Sequence, residues 1–580
     1  MKKELENLLV SILNKFGVAE PKVSVEHPDD LTHGDFATSA ALAYAKELKM
    51  SPRQLAEKIV TQIPTTYKVE IAGPGFINFS LPIDFFAKSL EEIIAAKEKF
   101  GSNNSYLNQQ VMVEYTDPNP FKEFHIGHLM NNALGESVSR LIEAGQADIV
   151  RAFYSGDVGL HVAKAIWGYQ TLVKKLTAGE TKVLVYGIEK EIVDQKVEIK
   201  FWGFAYTYGS SEYDSNPESK DVIDKLNKEI VFTRTPEIDK LYQQGREVSL
   251  KHFYEIFDLL GTKFNRYFFE SEMVDRGLEI VKKGQTEGVF EDSEKAVVFR
   301  GEKYDPALHT RVFINSFGVP TYETKELALN EKKFELYPSL AKSIIVTANE
   351  QSGYFKVVLK ALSLINPKAA ERTQHISHGM LRFASGKMGS RKGNVITGEA
   401  MIEDVEEMVR EKIKDRELSP EEKEEIVKKV AVGAIRYSIL KQEAGKDIIF
   451  DFEKSLSFEG DSGPYLQYTA VRAGAVLAKA ENLGIKELYD RPVGEIVSDL
   501  EKKLYRFPEV VERCQKEYSS HYLATYLTDV ASEFNSYYAN NQIANKDEVA
   551  SGYRVALTKA LRVVLVNGLW LLGVEVPNKM

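Results

Sequence analysis

The segment Asp117-Pro118-Asn119-Pro120-Phe121-Lys122-Glu123-Phe124-His125-Ile126-Gly127-His128 constrains this chain more than any other. Before it, Val111 to Thr116 is a short apolar run of strand formers, closed by the two prolines. After it, Leu134, Val138, Leu141 and Ile142 recur at helical spacing, and Gly145 is a fitting helix stop. Ile149 to Tyr154 then supplies a second strand. The pattern is a βαβ unit with two histidines opening its helix. His125 and His128 are three apart, so they share a face at the positive helix end. An anion there meets backbone N–H groups as well as imidazole donors. Gly127, without a Cβ, lets a flat base or ribose come close. Far downstream, Gly386-Lys387-Met388-Gly389-Ser390-Arg391-Lys392-Gly393-Asn394 is a glycine-flanked basic loop. Turn and loop together fit one ATP site of the adenylate-forming kind. A metal site is the weaker reading of the histidines, because no cysteine or third histidine stands nearby in sequence.

Length and composition agree with a large intracellular enzyme. At 580 residues the chain has room for several domains, and 43% apolar content is ample for their cores. The single cysteine, Cys514, excludes an internal disulfide and any multi-thiolate zinc site, as suits a reducing cytoplasm. The start, Met-Lys-Lys-Glu-Leu-Glu-Asn, carries acidic residues where a signal peptide needs an apolar stretch. No apolar run is long enough to span a bilayer, so no membrane partner is expected. A net charge of −10 argues against a uniformly basic nucleic-acid binder, although only the contacting face must be positive.

Three regions follow along the chain. Residues 1 to about 100 read as a small α+β domain, with Ser51-Pro52 as a helix start and two strands around Gly73-Pro74-Gly75 between Lys68 and Leu81. Residues 105 to 400 read as a Rossmann-like, doubly wound parallel sheet, interrupted by an insertion from about 178 to 240. Further strands are expected at Lys342 to Thr347 and Gln374 to Leu381, with a helix from Tyr354 to Leu364 between them. Residues 401 to 580 read as an all-α bundle whose first part is dense in Glu and Lys, as solvated helix faces are.

Motifs spread along the whole chain resemble the class I aminoacyl-tRNA synthetases and, among them, the arginyl-tRNA synthetases. Thr32-His33-Gly34-Asp35-Phe36-Ala37-Thr38 and Ala72-Gly73-Pro74-Gly75-Phe76-Ile77-Asn78-Phe79 look like the N-terminal appended domain of that family. Tyr154-Ser155-Gly156-Asp157-Val158-Gly159, Pro320-Thr321-Tyr322-Glu323-Thr324 and Ser462-Gly463-Pro464-Tyr465-Leu466-Gln467-Tyr468 fit it too. The resemblance implies ligation of L-arginine to tRNA(Arg): ATP, with Mg²⁺ on its phosphates and no dedicated protein metal site, activates arginine as its adenylate. The arginyl group then passes to the terminal adenosine of the tRNA. A monomer is the common state in the family.

The same resemblance assigns roles. His125 and His128 stand at the α-phosphate, with Gly127, Lys387, Met388 and Ser390 around the nucleotide and Lys387 and Arg391 closing on the β- and γ-phosphates. Glu114, Asn119, Tyr322, Glu326 and Gln351 occupy the arginine positions; a guanidinium is always charged and pairs best with carboxylates. Phe76 and Asn78 are positioned to touch the outer corner of tRNA, and Tyr468 and Tyr537 are candidates for RNA contact in the helical bundle.

The chain departs from the family in four places. Gly389 replaces the usual serine of the lysine loop, and Ser390 replaces the second lysine; Lys122 is expected to supply the missing phosphate contact. Glu123 replaces a proline. Glu326 replaces the shorter aspartate. Among the competing readings, a stand-alone nucleotidyltransferase leaves both terminal domains idle, and a silent RNA-binding paralogue conflicts with the retained histidines and Lys387. The nearest competitor is a synthetase for another amino acid; glutamate or glutamine would call for cationic contacts rather than Glu114 and Glu326.

Overall fold

A computed structural model describes residues 1–28, 30–384, 397–492 and 496–580. Lys387, Met388, Gly389, Ser390 and Arg391 lie outside the described residues. The chain forms two compact units that interleave in sequence: Met1–Phe100, Arg472–Pro508 and Asp529–Leu565 make one, and Gly101–Val471, Glu509–Thr528 and Val566–Met580 make the other.

In the first unit, three antiparallel strands (Phe36–Thr38, Lys68–Ala72 and Phe76–Ser80) form a sheet with Phe76–Ser80 in the middle. Gly73 and Gly75 have φ of +52° and +147°, which is why glycines flank Pro74 in the hairpin. The helix Pro52–Val60 begins with a capping box between Ser51 and Gln54 and with proline at its first turn. Ile77 and Phe79 point into a core with Leu5, Leu9, Phe36 and Ile59. Period-two alternation therefore turns Phe76 and Asn78 to the opposite, open face, and Phe76 is 42% exposed.

The second unit is built on five parallel strands: β1 Gln110–Glu114, β2 Asp148–Ser155, β3 Arg266–Phe269, β4 Leu340–Ala348 and β5 Thr373–His378. Their order is β5-β4-β1-β2-β3, all parallel. This is the doubly wound order, with its switch point between β1 and β4. Apolar residues such as Val111, Met112 and Val113 are buried because helices cover both faces. One face carries α1 (Ile126–Ala144), where Leu129 and Met130 meet Phe253 and Phe257 of the helix Pro236–Leu259. The other face carries α2 (Tyr322–Leu336) and α3 (Ser352–Ile365), whose Leu327, Leu329, Val357 and Val358 pack with Met112, Val150 and Phe268.

Two insertions interrupt the winding. Between β2 and β3 lie a hairpin (Lys182–Val185 and Ile188–Glu191) and helices Glu198–Ser215, Pro217–Phe232 and Pro236–Leu259. Between β3 and β4 a second antiparallel sheet, Glu291–Ser293, Ala296–Arg300 and Thr310–Ile314, gives no strong period-two signal and was not expected. The stretch from 401 to 580 is helical with one correction: Ile448–Phe450 is a strand paired in parallel with Leu381–Phe383.

The last described residues finish the second unit. Arg140 Nη1 donates to Trp570 O at 2.9 Å, Ser137 Oγ to Leu571 O at 2.9 Å, Arg436 Nη1 to Gly573 O at 2.6 Å and Gln467 Nε2 to Glu575 O at 2.7 Å. Trp570 and Leu571 end the helix Ser551–Leu571, where carbonyls run out of helical partners and the dipole favours cations; Gly573 and Glu575 follow just beyond it. Among the described residues, no helix is long and apolar enough to cross a membrane.

Candidate active site

The connection from β1 to α1 is strained and tightly laced. Thr116, Asp117 and Phe121 have φ of +78°, +42° and +68°, each costing on the order of 1–3 kcal/mol in a non-glycine residue. The surroundings hold them there. Thr116 N donates to Asn131 Oδ1 on α1 at 3.1 Å, and Phe121 N to Ser249 Oγ at 2.9 Å. The end of β2 supplies three more bonds: Tyr154 N to Asp117 Oδ1 at 2.8 Å, Ser155 Oγ to Pro118 O at 2.8 Å and Gly156 N to Asn119 Oδ1 at 3.1 Å. Asn119 is thereby fixed by its side-chain oxygen.

The histidine spacing has a direct structural cause. His125 is the N-cap of α1 and His128 its third residue, and the two form a capping box. His125 Nδ1 accepts from Gly127 N at 3.1 Å, and His128 Nδ1 accepts from His125 N at 3.2 Å. Accepting at Nδ1 places the ring proton on Nε2 in both rings. The rings stack with centroids 3.5 Å apart. Burial lowers the pKa of His125 to about 4, assisted by Lys122; burial, then His125 and Lys122, take His128 well below its ordinary value. Both imidazoles are neutral donors at pH 7. A Cβ on Gly127 would stand 3.0 Å from the His125 ring, so the glycine makes room for that ring. The Lys122 ammonium lies 4.6 Å from the Tyr206 ring centroid and acts electrostatically on His125, His128 and His161.

Below the histidines, at the C-terminal ends of the strands, lies a buried acidic cluster. Glu114 and Lys333 are 2% and 0% exposed and face each other at 2.8 Å, an ion pair whose alignment is too poor for a hydrogen bond. Glu326 accepts from Asn330 Nδ2 at 3.0 Å, and burial, then Glu114, raise its pKa to about 8 against the opposing pull of Lys333. Glu270 is paired with Lys325, yet burial still raises its pKa. Burial, then Glu114, also push Asp117 well above the usual carboxylate range. Four carboxylates thus share two lysines. Tyr322 has its ring half exposed over Lys325, 4.7 Å from the centroid, while its hydroxyl turns inward to His161 Nδ1 at 3.5 Å. Gln351 is exposed just beyond β4. Glu123 sits near Glu399, whose like charge raises its pKa after burial, with Lys200 and His252 in opposition.

The second unit thus brings Lys122, the histidine pair, Glu114, Asn119, Tyr322 and Glu326 to one end of the sheet. Tyr468 is half-buried beside Phe458 in the same unit. Phe76, Asn78 and a half-buried Tyr537 belong to the first unit. Sequence reasoning missed Asp117, Glu270, Lys325 and Lys333. Lys333 follows Glu326 by seven residues, two helical turns, so helical spacing could have flagged it.

Parallel sheet, histidine capping box and acidic pocket together define a class I aminoacyl-tRNA synthetase. Residues 89–452 match the model for the catalytic domain of class I tRNA synthetases (R), residues 466–580 that for the DALR anticodon binding domain, and residues 2–81 that for the arginyl tRNA synthetase N terminal domain. The chain belongs to the arginyl-tRNA synthetase family. It is 30% identical to the arginine–tRNA ligase of Clostridium botulinum, over 96% of each chain. It is 29% identical to that of Halothermothrix orenii, over 100% of this chain and 99% of the other. Its fold is similar to the Thermus thermophilus arginyl-tRNA synthetase, with TM-score 0.78 at 24% identity and full coverage of both chains. The Plasmodium falciparum enzyme gives 0.76 at 18%, covering 100% of this chain and 99% of the other.

Proposed function

We propose that the protein is an arginine–tRNA ligase: it forms arginyl-adenylate from ATP and L-arginine and passes the arginyl group to the terminal adenosine of tRNA(Arg). One observation carries the substrate assignment beside the family membership. The pocket below the histidines holds more buried carboxylates than cations, and burial, then Glu114, raise Glu326 to about 8 despite Lys333. A guanidinium entering there supplies the missing charge. Glutamate would meet the wrong sign, and glutamine would bring no charge at all.

For the first step the protein must align the arginine carboxylate with the α-phosphate and neutralise charge growing on phosphate oxygens. His125 and His128 suit this as neutral Nε2–H donors beside the first amides of α1. Lys122, which belongs to the same electrostatic cluster, suits the phosphate contact that Ser390 cannot make. Lys387 and Arg391 are the proposed partners of the β- and γ-phosphates, with Gly127, Met388 and Ser390 near the nucleotide. Mg²⁺ would arrive with the triphosphate as part of the substrate. Asn119 and Gln351 suit the polar edges of arginine. Phe76 and Asn78, open on one sheet face, suit tRNA contact, as do the partly accessible Tyr468 and Tyr537. The proposed working state is a monomer in the cytoplasm.

Arginine-dependent ATP–pyrophosphate exchange, run with and without tRNA(Arg), tests the reading. Exchange in either tube supports it, and exchange only with tRNA adds that RNA docking completes the site. Intact ATP binding with no exchange in either tube overturns it.

A further inference from the structure

One polar atom in the arginine pocket has no partner. The phenol oxygen of Tyr154 is buried and makes no hydrogen bond. It lies within the electrostatic reach of Glu270, Glu326 and Glu114 and of the Tyr354 hydroxyl. Three other buried tyrosines are captured by a carboxylate: Tyr115 donates to Glu136 at 2.5 Å, Tyr242 to Asp157 at 2.8 Å and Tyr437 to Asp461. Tyr154 stands among three carboxylates and is bonded to none. Nor is it free to drift toward one, because its backbone N–H is held by Asp117 and the next two residues are bonded to Pro118 and Asn119. A buried phenol oxygen without a partner among carboxylates marks the place of a ligand group that donates to it, since an unpaired buried polar group is otherwise costly.

We infer that Tyr154 is a specificity-determining residue whose phenol oxygen accepts an N–H of the arginine guanidinium, completing the set of acceptors that Glu114 and Glu326 begin. This rests on the arginine reading and extends it. A guanidinium has five N–H donors, more than two carboxylates can take in plane, and the phenol oxygen serves one that would otherwise be buried unpaired. No charge moves and no bond is made; the hydroxyl acts through binding alone.

The test is Tyr154→Phe, which removes only the oxygen. In ATP–pyrophosphate exchange the KM for arginine rises about tenfold, the size of one lost hydrogen bond to a charged group. The KM for ATP stays the same and kcat stays within about twofold. The melting temperature of the arginine-free variant equals or exceeds that of the parent, because an unpaired buried hydroxyl has gone. Agmatine, which keeps the guanidinium and lacks the carboxylate, reports where the effect lies: its inhibition constant rises by the same factor as the arginine KM. An unchanged arginine KM overturns the inference, as does a raised arginine KM with unchanged agmatine inhibition, which would place the hydroxyl at the amino-acid end. If the parent shows no arginine-dependent exchange at all, the arginine reading itself fails and this inference with it.

Discussion

Gly398 N donates to Phe124 O at 2.7 Å, and the neighbouring residues Thr397 and His125 form an antiparallel bridge. The first described residues after the Lys387 loop are thus fastened to the turn that carries the histidines. A Cβ on Gly398 would stand 2.8 Å from the buried Phe124 ring and 3.3 Å from His125 O. Gly398→Ala therefore shifts His125 relative to the loop exit. The expected outcome is an exchange rate lower by on the order of 100-fold, with a stability loss of about 1–3 kcal/mol, read by exchange kinetics and chemical denaturation.

The neutral histidines predict a flat pH response where free histidine titrates. His125, lowered to about 4, and His128, held well below its ordinary value, have no protons to lose between pH 6 and 8. Replacing either with alanine should remove one donor and slow adenylate formation by about 100- to 1,000-fold. The residual activity should keep the pH profile of the parent over that range.

Glu326 gives the opposite behaviour. Its pKa in the arginine-free protein is about 8, above the ordinary value of 4.5. The native state holds this proton between those values while the unfolded state does not, so this group's contribution to stability falls as pH rises from about 4.5 to 8. Arginine requires the ionised form, so its KM should fall as pH rises toward 8 and level off above. Glu326→Gln should remove both trends: melting becomes less pH-sensitive over that window and arginine use is lost. A variant whose arginine KM follows the parent's pH course would exclude Glu326 from the pocket.

Lys333 neutralises Glu114 where water cannot. Lys333→Met leaves a buried carboxylate without its partner, and the expected loss is about 3–5 kcal/mol, typical of breaking one side of a buried pair. Because a guanidinium can stand in for the missing cation, saturating arginine should raise the melting temperature of this variant more than that of the parent. Thermal melts with and without arginine decide it.

Lys122→Ala separates the phosphate role from a structural one. Its ammonium sits over the Tyr206 ring and near both histidines. The expected result is a lower kcat for activation with an unfolding free energy within about 0.5 kcal/mol of the parent, the usual scale for a surface change. An unchanged activation rate would sink the idea that it replaces the second lysine of the loop.

The βαβ unit with its histidines was legible because strand, turn and helix signals agree locally, and the three-residue spacing of His125 and His128 is a capping box in disguise. Glu270 was not legible, because it matters through Lys325, far away in sequence, and a lone Glu reads as surface; Lys333 had only its helical spacing from Glu326 to mark it. Glu291–Ser293 and its partners escaped for a different reason. A short strand such as Glu-Asp-Ser has no β propensity of its own and is held by pairing with Ala296–Arg300. Asp117 looked like one more turn residue; only burial beside Glu114 makes its charge a matter for the substrate.

The carbonyls from Trp570 to Glu575 that receive Arg140, Ser137, Arg436 and Gln467 belong to the same compact unit as the sheet. Domains commonly fold on the ribosome as each is completed. Here the helix behind the histidines waits for residues made more than four hundred positions later, as the separation of Arg140 and Trp570 shows. A nascent chain that has not reached Trp570 lacks the carbonyl that holds Arg140, so the helix behind the histidines is still without that anchor.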